Sequence, residues 1–326
     1  MLRLMDANLD RLSEGLRVLE DVSRFILDDI RTTEVLKRIR HDLTPTDPAL
    51  KNKLLTARDS ARDVGREGSG IAGTERHHIA DLVTANARRA QQSLRVLEEF
   101  TKLPQTPDQL KERNFEQARY TLYEIERELT LNLTRYNSSG RIVGLYVIID
   151  NQTLAGHSEI EAARQAIEGG AGVVQYRDKY RPRKESIPVA RELKRICAET
   201  GVLFIVNDSI DIAMAIDADG VHIGQSDLPL SIAKDLLPPD RIIGCSVRTV
   251  EQAIQAQKEG ADYLVVGDIY HTPTKQEAEA IGLERLSLIK DSVSLPIVAF
   301  GGINETNAGK VIKAGADSIA VISAIL

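Results

Sequence analysis

LFIVNDSIDIAMAIDADGVHIGQSD, residues 203–227, decides how this chain is read. It divides into an apolar run (203–206) ending in Asn207-Asp208, a short helical stretch, and a second apolar run (220–224) ending in Gln225-Ser226-Asp227. Each run is too short for a helix and stops at polar residues, the pattern of a strand buried on both faces of a parallel sheet. Neighbouring strands lie about 5 Å apart, so Asp208 and Asp227 leave the sheet at one end, within reach of a shared hard cation. An oxygen-only pair without His or Cys suits Mg²⁺, which takes one or two carboxylates and leaves its other positions to water and phosphate oxygens. The competing reading makes each aspartate a helix cap. The neighbouring strand ends favour the cation.

The same pattern extends in both directions. Apolar runs recur at 145–149, 173–176, 242–247, 263–266, 297–300 and 319–322, and helical periodicity fills most of the gaps, as at 159–168, 185–199 and 249–259. Eight strands alternating with helices predict an α/β fold, a (β/α)8 TIM barrel over residues 141–326. A doubly wound open sheet is the alternative, but no G-x-G-x-x-G follows the first strand. The chain stops just after the eighth run, so an eighth helix is absent from the sequence; a helix at 109–132 is one candidate to cover that gap.

A barrel of this kind carries its chemistry at the C-terminal ends of its strands. Gln175, Arg177 and Lys179 alternate at the second, so they share a face and suit an anion. Asn207, Asp208 and Asp227 follow the third and fourth, and Ser246 closes the fifth. Thr272, Thr274 and Lys275 lie in a long polar segment after the sixth and read as a phosphate grip. Gly301-Gly302 follows the seventh and Ile322-Ser323 ends the eighth, where this fold often binds phosphate. No Ser-His-Asp or Cys-His set is visible. His222, inside a strand run, and His271, in the loop, read as hydrogen-bonding or packing residues rather than general bases.

Upstream, residues 1–138 carry almost no strand signal and predict a separate all-α domain. Leu9, Leu12, Leu16, Leu19, Val22 and Ile26 recur at helical spacing, as do Leu110, Ala118, Leu122, Ile125 and Leu129, and Pro45, Pro48, Pro104 and Pro107 break the helices. Ala7-Asn8 and Arg17-Val18-Leu19-Glu20 reappear 78 residues later as Ala85-Asn86 and Arg95-Val96-Leu97-Glu98, so two related helices are expected to pack together. Between them, residues 58–70 hold three glycines among arginines, which reads as a solvated loop before a phosphate-binding one. Asn137-Ser138-Ser139-Gly140 reads as a flexible linker.

Composition narrows the function classes. With 326 residues and 42% hydrophobic content the chain has room for two domains with cores. Trp is absent, aromatics make up 4% and the net charge is −6, so nucleic acid is not an expected partner. Cys197 and Cys245 have no metal or redox spacing. The first residues are charged too early for a signal peptide and no run is long enough to span a membrane, so a cytoplasmic protein is expected.

VQYRDK, VNDS, GVHIGQSDLP, IIGCS, GDIYHTPTK, AFGGI and AVISAI, in this order, resemble the thiamine phosphate synthase family from residue 144 onward. The resemblance implies a transferase that joins a pyrimidine diphosphate to a thiazole phosphate, giving thiamine phosphate and pyrophosphate. It implies that Gln175, Arg177, Lys179, Asn207, Ser246 and Lys275 hold the pyrimidine diphosphate. Asp208 and Asp227 would bind Mg²⁺, and Thr272, Thr274, Gly302, Ile322 and Ser323 the thiazole phosphate. Asp268 and His271 stand where the family usually has Pro. A regulatory or thiazole-isomerising paralogue shares the barrel but tends to lack the full diphosphate-binding set. The LRVLED helix and RDxxxDVG stretch resemble a helical domain often fused ahead of this synthase, which implies ATP-dependent phosphorylation of hydroxymethylpyrimidine phosphate. Arg58, Asp59, Asp63 and Gly65 are its first candidates. The alternative makes the helical part a dimerisation module of a homo-oligomer.

Overall fold

The computed structural model describes residues 1–59, 76–154, 156–271, 280–322 and 324. The chain divides into two compact units, Met1–Thr134 and Arg135–Leu326.

The second unit is a closed barrel of eight parallel strands in sequential order. They are β1 (Gly144–Asp150), β2 (Ala171–Arg177), β3 (Leu203–Asn207), β4 (Gly220–Ile223), β5 (Ile242–Val247), β6 (Tyr263–Val266), β7 (Ile297–Phe300) and β8 (Ser318–Val321). Alternate residues fill two cores. Tyr146, Ile148, Val173, Ile205, Tyr263, Val265 and Val298 pack inside the barrel. Val147, Val174, Phe204, Val221, Leu264 and Ala299 face the helices. Both faces are therefore apolar, which is why each strand reads as a continuous hydrophobic run.

Three aspartates stand immediately before even-numbered strands and tie them to the preceding strand. The carboxylates of Asp219, Asp262 and Asp317 accept hydrogen bonds from the backbone N–H of Phe204, Ile243 and Ile297, each at 2.8 Å. Asp219 and Asp317 are neutralised by Lys194 and Lys290 at 2.6 and 2.7 Å, and Asp262 pairs with Arg135 at 3.2 Å. Burial pushes the Asp262 carboxyl up from 3.8 to about 6, outweighing Arg135 and the Ile243 amide, which pull it down. A carboxyl that holds its proton more tightly when folded stabilises fully below its unfolded value of 3.8, and that contribution is lost as pH rises to about 6. Asp262→Asn keeps an acceptor for Ile243 and removes the titration. Its stability, read from urea midpoints, is expected to fall less between pH 4 and 6 than that of the parent chain; parallel curves would refute the assignment.

In the first unit, α1 (Leu2–Phe25), α2 (Ile30–Leu43), α3 (Pro48–Ala57), α4 (Ile79–Thr101), α5 (Asp108–Lys111) and α6 (Phe115–Ser139, counted with the second unit from Arg135 on) surround a leucine-rich core. Asp29 caps α2 by accepting from Thr32 N–H at 3.0 Å, and Asp47 caps α3, whose first residue is Pro48. Helices α1 and α4 approach closely at Gly15, where an added Cβ would lie 2.9 Å from the Asn86 carbonyl oxygen. The 78-residue echo is structural. Asn8 and Asn86 each donate from the side-chain amide to the carbonyl four residues back, of Leu4 and Leu82, at 2.8 Å. Glu20 binds Arg17 and Arg40 just as Glu98 binds Arg95 and Arg119.

Two local expectations change. The periodicity from Leu110 to Leu129 belongs to two helices, because Asn114 accepts from Gln117 N–H at 2.9 Å and starts α6 afresh. Asn137, Ser138 and Ser139, expected to be a flexible linker, form the last turn of α6, with Ser139 Oγ donating to the Tyr136 carbonyl at 2.9 Å. Small polar residues at a helix end satisfy terminal carbonyls as readily as they loosen a chain. Among the described residues no helix is long and apolar enough to cross a membrane.

Among the described residues the barrel carries seven helices after its strands: α7 (Glu159–Glu168), α8 (Arg183–Thr200), α9 (Ile210–Ala215), α10 (Leu230–Leu236), α11 (Val250–Glu259), α12 (Gly282–Ser292) and α13 (Ala308–Lys313). Cys197 on α8 and Cys245 on β5 are buried free thiols.

Candidate active site

Gln175, Asn207, His222 and Ser246 come from four consecutive strands and meet in one polar layer below the C-terminal mouth of the barrel. Gln175 is 3% exposed. Its Oε1 accepts from the Tyr146 hydroxyl at 2.6 Å and its Nε2 donates to Asn207 Oδ1 at 2.7 Å, so both ends of the amide are oriented. Asn207 pairs in register with His222, whose Nε2 lies 2.8 Å from Ser246 Oγ. The Tyr146 and Tyr263 hydroxyls, 3.1 Å apart, continue the layer across the interior. Burial pushes His222 down to about 4, so the ring is neutral at physiological pH and serves as a hydrogen-bonding element, as its position in a strand run predicts. Tyr146→Phe would leave Gln175 Oε1 buried without its donor. The expected cost is about 1–3 kcal/mol in chemical denaturation; no measurable loss would mean that the amide is oriented by something else.

One turn higher, Arg177 and Asp150 are register partners on β2 and β1, and the Arg177 Nη1 donates to Asp150 Oδ2. Asp150 also accepts from Gln152 N–H at 3.1 Å, which anchors the carboxylate that holds the guanidinium. Lys179, just past β2, reaches Asp208 Oδ2 at 3.3 Å. Asp208 has a left-handed backbone (φ 59°), a conformation Asp tolerates, and its N–H donates to the His222 carbonyl at 2.8 Å. This turn sends the Asp208 carboxyl towards Asp227. Burial and the adjoining Asp227 raise the Asp208 carboxyl above its ordinary range, while Lys179 opposes them. Asp227 Oδ2 accepts from Gly224 N–H at 2.9 Å, closing the loop after β4. The loop is fixed further by Gln225, whose Nε2 donates to the Ser246 carbonyl at 2.6 Å.

On the opposite side, Gly301 and Gly302 adopt φ of 100° and 65°. An added Cβ would lie 2.8 Å from Asp268 Cα at Gly301 and 2.8 Å from Tyr270 Cβ at Gly302. The glycines thus let the loop after β6 lie against the end of β7, with Tyr270 N–H donating to the Gly301 carbonyl at 3.0 Å. Asp268 is buried and pairs with Arg248 at 3.3 Å, and His271 is exposed. Ile322 packs against the inner core. Thr272, Thr274, Lys275, Ser323, Asp63 and Gly65 lie outside the described residues. Sequence reasoning missed Asp150, Tyr146 and Tyr263. The signal of Tyr146 and Tyr263 was their inward parity, hidden because both strand faces are apolar; that of Asp150 was its register beside Arg177.

A family model described as thiamine monophosphate synthase matches residues 145–325, and one described as the ThiD2 family matches residues 3–128. The thiamine-phosphate synthase of Synechocystis sp. is 37% identical over 99% of this chain and 91% of its own length. That of Nostoc punctiforme is 39% identical over 99% and 89%. Among solved structures, thiamine phosphate pyrophosphorylase from Pyrococcus furiosus matches with a TM-score of 0.52 and 44% identity, covering 56% of this chain and 87% of that one. One model spanning over half of the chain, and relatives matched along nearly all of it, lead to one conclusion: the chain belongs to the thiamine monophosphate synthase family.

Proposed function

We propose that the barrel joins a pyrimidinylmethyl diphosphate to a thiazole phosphate, and that the helical unit makes the diphosphate from the monophosphate and ATP. The observation that supports the first reading most is the cationic and carboxylate ring of Arg177, Lys179, Asp208 and Asp227 above a neutral polar floor. In the barrel step the bond between the methylene carbon and the diphosphate oxygen breaks, its electron pair leaving with pyrophosphate. The thiazole nitrogen then donates its lone pair to that carbon. The electron-rich aminopyrimidine ring stabilises the developing cation, so the site needs no general base, which accords with a neutral, buried His222.

This chain's residues would position and neutralise. Gln175, held at both ends, and Ser246 present hydrogen-bonding groups to the ring. Arg177, locked by Asp150, and Lys179 face the leaving diphosphate. The paired oxygen donors of Asp208 and Asp227 fit Mg²⁺, since a divalent cation would relieve the like-charge contact between them. Bound there, Mg²⁺ would neutralise diphosphate oxygens as they take up charge. Lys275 and the thiazole-phosphate residues Thr272, Thr274, Gly302, Ile322 and Ser323 remain assigned by the resemblance.

In the helical unit, the reaction would transfer the γ-phosphoryl group of ATP to a phosphate oxygen of hydroxymethylpyrimidine monophosphate, giving ADP and the diphosphate. The match to the ThiD2 family over residues 3–128 supports this. A coupled assay tests both steps: full chain, hydroxymethylpyrimidine monophosphate, ATP, thiazole phosphate and Mg²⁺. Thiamine phosphate is expected. Product that forms only when the diphosphate is supplied would leave the synthase and remove the kinase.

A further inference from the structure

Arg58, flagged in the sequence as part of an Arg- and Gly-rich stretch, turns out to line a cavity of about 290 Å³ enclosed by α1, α2, α3 and the turns beside them. Leu12, Leu16, Leu43 and Leu54 supply buried apolar walls. Asp6, Asp10, Lys51 and Arg58 line the same cavity. Such a volume suits one small ring with its substituents and is at the lower limit of ligand pockets, too small to enclose a whole nucleoside triphosphate.

The guanidinium is fixed before any ligand arrives. Arg58 Nε donates to Asp6 Oδ2 at 2.7 Å, and Nη2 donates to Asp6 Oδ1 at 3.0 Å and Asp10 Oδ2 at 2.5 Å. These bonds use three of its five N–H donors and leave both on Nη1 without a partner among the described residues. Lys51 likewise has no ion pair among the described residues. Two cationic donors therefore stand over an apolar recess, one held in a bidentate fork and the other on a flexible stem. Asp10 Oδ1 also accepts no hydrogen bond among the described residues.

We propose that this cavity binds a small aromatic heterocycle carrying a phosphate monoester and an exocyclic amine. The ring lies on the leucines, the phosphate takes Arg58 Nη1 and Lys51, and the amine donates to Asp10. This rests on the kinase reading for the identity of the ligand and assigns that reading a place on the helical unit.

The chain contains no Trp, so Leu55→Trp at the cavity rim, where Leu55 is 62% exposed, gives a reporter without background. The full-length variant is titrated with hydroxymethylpyrimidine monophosphate, without ATP, and with inorganic phosphate as the control. A saturable change in emission is expected with the heterocycle and not with phosphate. Adding Lys51→Glu, on an exposed helical position, should weaken it at least about tenfold; circular dichroism melts verify that each variant folds. ATP-dependent phosphorylation by the unmodified chain is measured in parallel. Turnover with no saturable signal, or binding indifferent to Lys51→Glu, overturns the assignment and leaves the kinase intact. Saturable, Lys51-dependent binding without turnover upholds the cavity as the ligand site and overturns the kinase.

Discussion

Replacing Asp208 by Ala is expected to lower kcat/KM for thiamine phosphate formation by about 10²- to 10³-fold, the usual cost of removing one preorganised electrostatic group from a transition state. The change breaks one of two adjoining carboxylates and frees Lys179 from its 3.3 Å contact. The fold should survive, because among the described residues the Asp208 side chain accepts no backbone hydrogen bond, and its N–H bond to the His222 carbonyl does not need the carboxyl. The strain of a left-handed backbone remains for Ala, a modest cost that Asp208→Asn avoids. Both variants should need more Mg²⁺ for half-maximal rate. Asp227 differs: its carboxylate also holds the Gly224 N–H, so Asp227→Ala should lose loop order as well as cation affinity. A loss in Asp208→Asn smaller than about threefold, with an unchanged Mg²⁺ requirement, would place the cation elsewhere and reduce Asp208 to a partner of Lys179.

The strands and the end of the barrel where chemistry gathers were legible because buried parallel strands are short apolar runs that stop at polar residues. The run 203–206 ending in Asn207-Asp208 and the observed Leu203–Asn207 differ by one residue. The same property hid the interior. When both faces are apolar there is no alternation to say whether Tyr146 or Val147 points inward, so the tyrosine pair beneath Gln175 could not be read. Asp150 was hidden for another reason. An aspartate ending an apolar run resembles a loop residue, and only register beside Arg177 makes it a partner. The 78-residue echo was visible as six matching letters. Its physical content, a glutamate gripped by two arginines in each copy, needed the second arginine of each set, Arg40 and Arg119, which stand 79 residues apart and so fall outside the 78-residue offset. The supposed linker failed because composition reports what a segment tolerates, and helical hydrogen bonding can continue through Asn and Ser.

Gly244→Ala is expected to destabilise the barrel by about 3 kcal/mol, the upper end for overpacking a well-filled core. The added Cβ would lie 2.1 Å from Tyr263 Cζ and 2.5 Å from both Cε atoms, closer than real contacts allow. Tyr263 has nowhere to move. It is fully buried, its hydroxyl is 3.1 Å from that of Tyr146, and its ring centroid lies 6.1 Å from that of His222. The glycine on β5 is therefore the space into which a β6 side chain is packed, and the tyrosine in turn sets the hydroxyl that orients Gln175. Stability and chemistry should fail together: a folded fraction of Gly244→Ala should show a raised KM for the pyrimidine diphosphate, because the amide beneath it shifts with the ring. Tyr263→Leu removes the ring and separates the two effects. In a double-mutant cycle by urea denaturation, Gly244→Ala should cost markedly less in the Tyr263→Leu background than alone, the difference being the clash itself. Additive costs would mean that β5 moves as a whole to admit the methyl group, and that the interior is less tightly fitted than a packed barrel core requires.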